Sequence, residues 1–454
     1  MSSLPIRISA HDKPGAFETE GWPTITLPAI AVVRATERAI DSFYSSTSPE
    51  PAQVCLDMSR VKYLEIASLQ VMTAFLAMRH RSGLVTKIRL PAGEDGLKVR
   101  HFLRRWEYPK ALHSVTGKRF DFFVDRQDLR YFSGAPGTGD TDNPYSPTTV
   151  RYSTKYGEVV YTKDSYRFFG FRSWQLSDRA DKAAVVEDEQ RRWKEAERVV
   201  AETLRRKLIV RNADKAQRIE PERYLASRVV LQAMTNALRH PRASVLQASS
   251  HMTQAIADQR LVDTSFTLVY WDDGIPMHAT LREALDEEKP IIFKTANRAT
   301  YLVVYKNSDN RVDRIRVARS DEIPSKQTSE EDLLLSTLFP GVTCDVTGQN
   351  RLSPSDLERD DLVEVPGDGL LDIPGHGLFM LVEVAVELLQ GSVSFRCGDL
   401  FMNVSPLSDA AWRRLRLEGQ KPPYRVKIQR RSGCGPRFLG NMVTVRLPLE
   451  HQGA

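Results

Sequence analysis

The N-terminal part of the chain switches repeatedly between two spacings of its apolar positions. Short apolar runs predict buried strands at 25–33, 53–57 and 85–90. Apolar residues at helical spacing predict helices at 35–45, at 66–81 and, in a basic segment, from Leu97 to Trp106. Alternating strands and helices of this kind predict a small α/β layer fold.

The C-terminal part shows a second set of strand and helix patterns. Apolar or alternating segments predict strands at 265–271, 300–305, 312–318, 391–396, 424–430 and 442–447. Periodic apolar residues predict helices at 221–240 and 377–390, and a highly charged helix is predicted at 184–207. A long polar stretch at 319–374 interrupts these elements and is interpreted as a mobile segment. Together they predict a two-layer α/β sandwich.

A linker between the two parts is predicted from composition. Residues 133–149 are dominated by Gly, Pro, Ser and Thr, which is typical of linkers. The following residues, up to 185, are rich in Tyr and Phe and give no secure assignment. A chain of 454 residues also exceeds one ordinary core. We therefore predict an N-terminal α/β domain at 1–132, a connecting segment at 133–185 and a C-terminal α/β domain at 186–454.

Composition narrows the class of protein. The hydrophobic fraction of 41% and the charged fraction of 27% are ordinary for a globular protein, and no apolar run is long enough for a membrane helix. Four cysteines without CxxC spacing, and an N-terminus without a secretory signal, predict a cytoplasmic location. The net charge of +6 is small for this length, and its basic clusters favour solvated faces, with nucleic-acid contact left open.

Three separated segments contain residues suited to a nucleotide site. In the helix predicted at 221–240, Gln232 and Asn236 are one turn apart and project from one face, where an amide oxygen can bind a hard cation. Asp272 ends an apolar strand and can accept a hydrogen bond from an exocyclic amine, while Gly274 permits a turn and a close approach.

The third segment is a glycine pair, Gly375 and Gly377, that precedes an apolar helix. Glycines at a helix N-terminus expose backbone N–H groups and the positive end of the helix dipole to a phosphate. Taken singly, each of the three segments has an ordinary structural explanation: solvated amides, a strand-to-loop turn, or a glycine-rich entry into a helix. Their order and spacing together favour a site for ATP and Mg²⁺.

Together the three segments resemble the GHKL ATPase superfamily of gyrases, heat-shock chaperones, histidine kinases and MutL proteins, over residues 190–450. The resemblance implies a Bergerat-type ATP-binding fold with a lid at about 341–376. By position it implies that Asn236 coordinates Mg²⁺ on the phosphates and that Asp272 recognises the adenine amine. It also implies that Gly274 lies beneath the base and that Gly375 and Gly377 lie near the phosphates.

Two positions depart from the pattern of this superfamily. Gln232 stands where its general-base glutamate is found, and a carboxamide cannot accept a proton as a carboxylate does. General-base assistance is typically worth about 10²–10⁴-fold in rate. Pro276 stands where the motif has its second glycine. ATP binding is therefore better supported than ATP hydrolysis.

Residues 54–83 resemble a STAS domain, the fold of anti-sigma factor antagonists. The serine that is phosphorylated in that family falls at Ala67, so phosphorylation is not carried over. The neighbouring Ser68 is either an alternative acceptor or, as we favour, a helix N-cap.

The sequence as a whole predicts a cytoplasmic bacterial protein that uses ATP–Mg²⁺ as a regulatory switch, with weak or no ATPase activity. Lid closure would control a surface for a protein partner or for the first domain. The alternatives are a serine/threonine protein kinase of the anti-sigma type and a DNA-associated ATPase clamp. The expected partners are accordingly a protein, a second copy of the chain or, in the clamp alternative, DNA, with no membrane.

Overall fold

The computed structural model describes residues 21–47, 49–106, 108–118, 120–124, 150–154, 157–161, 171–175, 206–208, 233, 242–257, 260–289, 291, 299–307, 309–342, 377–415, 419–431 and 438–451. They belong to two compact units. The first is drawn from Met1–Gln175, Gln247–Asp263 and Gly433–Leu439, and the second from Leu176–Leu246, Thr264–Ser432 and Gly440–Ala454. Both units contain helices and strands, which confirms a mixed α/β protein. The predicted domain boundaries stay predictions.

The first unit is built on a parallel sheet of four strands. In spatial order they are β1 (Thr24–Thr26), β3 (Gln53–Asp57), β5 (Val85–Arg89) and β6 (Asp121–Phe123). In chain order the elements of this unit are β1 (Thr24–Thr26), β2 (Ile30–Ala31), α1 (Val33–Ser46), β3 (Gln53–Asp57), β4 (Tyr63–Leu64), α2 (Ile66–Arg81), β5 (Val85–Arg89), α3 (Gly93–Arg105), α4 (Tyr108–Thr116), β6 (Asp121–Phe123), β7 (Val150–Thr154), β8 (Gly157–Tyr161), β9 (Arg172–Gln175) and most of β11 (Val245–Ala257). Helix α2 is buried on nearly every side because it contacts α1, α4 and β5.

Two predictions for the first unit were wrong in detail. The run at 25–33 forms two short strands that pair with different partners, because Pro28 lies between them and cannot donate a ladder hydrogen bond. Ser68 is not an N-cap. Glu65 holds that position, and Ser68 lies inside the first turn of α2 with no exposed surface.

The second unit contains a mixed sheet with the strand order β14-β13-β17-β16-β15-β18-β12, and β10 pairs with β18. The elements are β10 (Arg206–Leu208), most of β12 (Arg260–Asp272), α5 (Met277–Asp286), β13 (Thr300–Lys306), β14 (Val312–Arg319), α6 (Glu330–Ser336), α7 (Gly377–Val382), a π-helical segment (Glu383–Leu388), β15 (Ser392–Cys397), β16 (Leu400–Pro406), α8 (Asp409–Leu415), β17 (Tyr424–Arg430) and β18 (Asn441–His451). Helix α6 contacts α5, β16 and β17, and the π-helical segment packs on β15, β16 and β18.

Several elements of the second unit differ from prediction. Arg206 and Lys207 belong to β10 and not to the end of a charged helix. The polar stretch from 319 is not uniformly irregular, because it contains α6, whose first turn is capped by the Ser329 hydroxyl accepting from Asp332 N. The helix predicted at 377–390 is present, but its second half is π-helical. The helix predicted at 221–240 lies outside the described residues except for Ala233, which is helical and buried.

Among the described helices, none combines the length and the apolar character needed to cross a membrane.

Candidate functional site

Asp272 ends a strand that is buried over its last seven residues. From Phe266 to Trp271 the side chains of β12 are at most 5% exposed, and Asp272 itself is 3% exposed. In the antiparallel register Asp272 lies opposite Asn441, and Asn441 lies opposite Cys397 on the next strand. The three side chains therefore form a row along one edge of the sheet.

The carboxyl group of Asp272 is held through one of its two oxygens. Oδ1 accepts from Asn441 Nδ2 at 3.0 Å and from Gly274 N at 2.9 Å. Burial raises the pKa of Asp272 to about 7, although these two hydrogen bonds favour the carboxylate and partly oppose the shift. Because both donors bond to Oδ1, a proton on this group would occupy Oδ2.

Asn441 is a site residue that sequence reasoning missed. Besides bonding Asp272, its Nδ2 donates to Ile275 O at 2.9 Å, and its Oδ1 accepts from Met277 N at 3.0 Å. One buried amide thus connects the acid, the loop after it and the first turn of α5. The only signal in the sequence is the Gly-Asn pair at the start of the last strand, and it does not reveal the register that pairs Asn441 with Asp272.

Gly440 and Gly274 are glycines for reasons of space. Gly440 has φ +79°, and a Cβ there would lie 1.7 Å from Asp272 O. A Cβ at Gly274 would lie 2.9 Å from Asp272 Oδ1 and 3.2 Å from Ala243 Cβ. A side chain at either position would displace the acid. The close approach of a ligand to Gly274 stays a prediction.

The second acid of the pair, Asp273, has a structural role. Its Oδ1 accepts from Ser244 N at 2.7 Å and Val245 N at 2.8 Å, and its Oδ2 accepts from the Ser244 hydroxyl. These bonds attach Ser244 and the first residue of β11 to the residue that follows β12. Two adjacent aspartates that look equivalent in the sequence therefore have different environments.

Pro276 begins a helix at the position where the GHKL motif has a glycine. It is the N-cap residue of α5, with φ −53° and ψ 136°, and its carbonyl accepts from Ala279 N and Thr280 N. The restricted φ of proline suits the start of a helix. The residue that departs from the motif therefore marks the start of α5, directly after the loop that follows Asp272.

The remaining predicted site residues are only partly within the described structure. Gly377 is the first residue of α7, which confirms the helix start predicted at 377. Gln232, Asn236 and Gly375 lie outside the described residues, as does most of the predicted lid at 341–376. The structure therefore brings Asp272 and Gly274 together, and the rest of the predicted site stays a prediction.

No protein family matches the chain, and comparison with curated proteins and with solved structures found no match either.

Proposed function

We propose that the second unit binds ATP with Mg²⁺ and acts as a regulatory switch with weak or no hydrolysis. The observation that carries this proposal is the buried environment of Asp272, which has no cationic partner among the residues that the structure describes. Its hydrogen bonds within the described chain come from two neutral donors and end on one oxygen. A buried carboxyl group with this pattern is suited to accept a hydrogen bond from a ligand N–H.

The selectivity of such a site would come from the second oxygen of Asp272. With Oδ1 occupied by Asn441 and Gly274, Oδ2 is the acceptor for an exocyclic amine such as that of adenine. A hydrogen bond to a charged acceptor is worth about 1.5–3 kcal/mol, and an unpaired partner in a dry site costs a similar amount. Above the pKa of about 7, the carboxylate offers this acceptor; below it, the protonated Oδ2 presents a donor instead.

The metal and phosphate functions rest on sequence alone. Asn236 would supply an amide oxygen to Mg²⁺, Gly375 and Gly377 would approach the phosphates, and the lid at 341–376 would order around them. Gln232 provides no general base, which is why we propose binding and switching in preference to turnover.

Calorimetry with ATP and Mg²⁺ on the wild type and Asp272→Asn tests this proposal. The variant keeps an oxygen for the Asn441 and Gly274 donors but replaces the ligand acceptor by an amide, so its affinity is expected to fall at least about tenfold. Asp313→Asn, on the exposed side of β14, is the matched control and should bind like the wild type. Equal affinity of wild type and Asp272→Asn would contradict the proposal.

A second measurement on the same samples separates the alternatives. Binding without phosphate release selects the switch, whereas transfer of phosphate to a serine of a separate STAS protein would select the kinase. Ser68 of this chain is not a candidate acceptor in the folded state, because it has no exposed surface. DNA binding that weakens steeply with salt would instead support the clamp alternative.

A further inference from the structure

A second group of ionisable side chains includes Asp399, which follows the end of β15 where Cys397 pairs with Asn441. His278 is the second residue of α5, Glu330 is the first residue of α6, and Asp399 lies in the turn between β15 and β16. One ligand atom from each of these three side chains lies within 4.8 Å of the other two. Three elements that are far apart in sequence thus bring a histidine and two carboxylates together.

Arg430 contacts this group but does not balance its charge. Its Nη1 donates to Asp399 at 2.6 Å, its Nη2 to Glu330 at 2.7 Å, and its Nε to Glu331 at 2.9 Å. Counted over these described residues, the carboxylates of Glu330, Glu331 and Asp399 exceed the single charge of Arg430 by two. A divalent cation would neutralise that excess.

His278 provides a separate indication of a binding site. It is only 5% exposed, and its Nδ1 is buried without a hydrogen-bond partner in the described part of the chain. A neutral imidazole beside carboxylates is a common metal ligand.

We propose that His278, Glu330 and Asp399 form a binding site for a divalent transition-metal ion such as Zn²⁺. A tetrahedral shell with bonds of about 2.0–2.1 Å places its ligand atoms about 3.3–3.4 Å apart, so small side-chain rotations would complete it. Glu330, whose side chain is 47% exposed, leaves the site open to solvent on one side and gives an ion and its water ligand access.

The bound ion would restrain the elements beside Asp272. It would join α5, α6 and the β15–β16 turn, and the first N–H of α5 is already held by Asn441, the same amide that bonds Asp272. The proposal is independent of nucleotide binding, because the metal ligands do not include any residue of the nucleotide site.

The test is a Zn²⁺ titration of the full, metal-stripped chain against a chromogenic chelator, without nucleotide. The wild type is expected to bind one equivalent that becomes at least about tenfold weaker in His278→Gln and in Asp399→Asn, since outer-shell changes alone already cost about 10–100-fold. Glu331 contacts Arg430 but is not a proposed ligand, so the Glu331→Gln variant should bind one equivalent of Zn²⁺ as tightly as the wild type. His80→Gln, in the first unit, controls for loss of a histidine.

Thermal unfolding of the metal-free variants identifies any that fail to fold. If His278→Gln does not fold, Glu330→Gln decides, because the side chain it replaces is half exposed. Zn²⁺ binding that is equal in the wild type and all folded variants would overturn the proposal, as would the absence of this equivalent in the wild type. The group would then be an ion-pair network around Arg430.

Discussion

Arg79 in the first unit and Asp272 in the second are both charged residues with almost no exposed surface, yet their environments are opposite. The Arg79 guanidinium donates to Thr86, Tyr44, Glu50 and the carbonyls of Pro51 and Val85, at 2.9–3.2 Å. Asp272 has no cationic partner among the described residues. Burial of a charge alone therefore does not indicate function; the two residues differ in the hydrogen-bonding capacity that the described residues leave unused, which is large at Asp272 and small at Arg79.

The largest expected effect tests the structural half of this comparison. Arg79→Met should lower the free energy of unfolding by about 3–5 kcal/mol, because it leaves Glu50 and several buried acceptors without their donor. Urea unfolding followed by circular dichroism measures it, with Arg60→Met, at an exposed position, as the control. A loss no larger than that of the control would mean that the Arg79 network is not structural.

The next prediction concerns Asp272→Asn, which should raise the free energy of unfolding where Arg79→Met lowers it. Because the pKa of Asp272 is raised from 3.8 to about 7, the folded chain binds an additional proton between these values, and the free energy of unfolding falls as pH rises through that window. Asp272→Asn removes this ionisation and should stabilise the chain by at most about 4 kcal/mol above pH 7. The gain should disappear below about pH 4.

Unfolding of Asp272→Asn and wild type between pH 4 and 8 measures this difference. A variant that is less stable than the wild type at pH 8 would show that the Asp272 carboxylate is satisfied in the native state. The same variant separates binding from folding, since its affinity for ATP is expected to fall while its free energy of unfolding rises.

A smaller effect is expected from the amide that positions Asp272. Asn441→Ala removes three hydrogen bonds, each worth about 0.5–1.5 kcal/mol net, and should destabilise the chain by about 2–4 kcal/mol. It also removes a donor that lowers the pKa of Asp272, so nucleotide binding should be lost at a higher pH than in the wild type. Asn403→Ala, which loses one bond to Ser394, is the control. An unchanged pH profile would contradict the positioning role.

Sequence patterns predicted some elements with their limits, among them the strand Tyr424–Arg430 and the helix Ile66–Arg81. The strand alternates between buried and partly exposed residues over most of its length, and the helix is a continuous, largely apolar segment that is buried on nearly every side. Strand β11 and helix α5 were missed. Polar residues such as Ser249, Ser250 and Gln247 are buried in β11, so its burial does not follow its hydrophobicity.

The residues of the candidate site also fall into two groups, those that the sequence identified and those that it did not. Asp272 and Gly274 could be identified because a polar residue that ends an apolar strand is visible in the sequence. Asn441, Cys397 and the group around Arg430 could not, since their proximity depends on strand register and on how α5 and α6 pack. The Ser-Glu-Glu-Asp start of α6 did contain a capping signal, which the polar composition of the surrounding stretch obscured.

The claim that Asp272 recognises an exocyclic amine is tested most directly by comparing ATP with inosine triphosphate, in which a carbonyl oxygen replaces that amine. Calorimetry at pH 8 should show the wild type binding ATP about ten- to a hundredfold more tightly than inosine triphosphate. Asp272→Asn should lose that preference. Equal affinity of the wild type for both nucleotides, or an undiminished preference in the variant, would contradict the account.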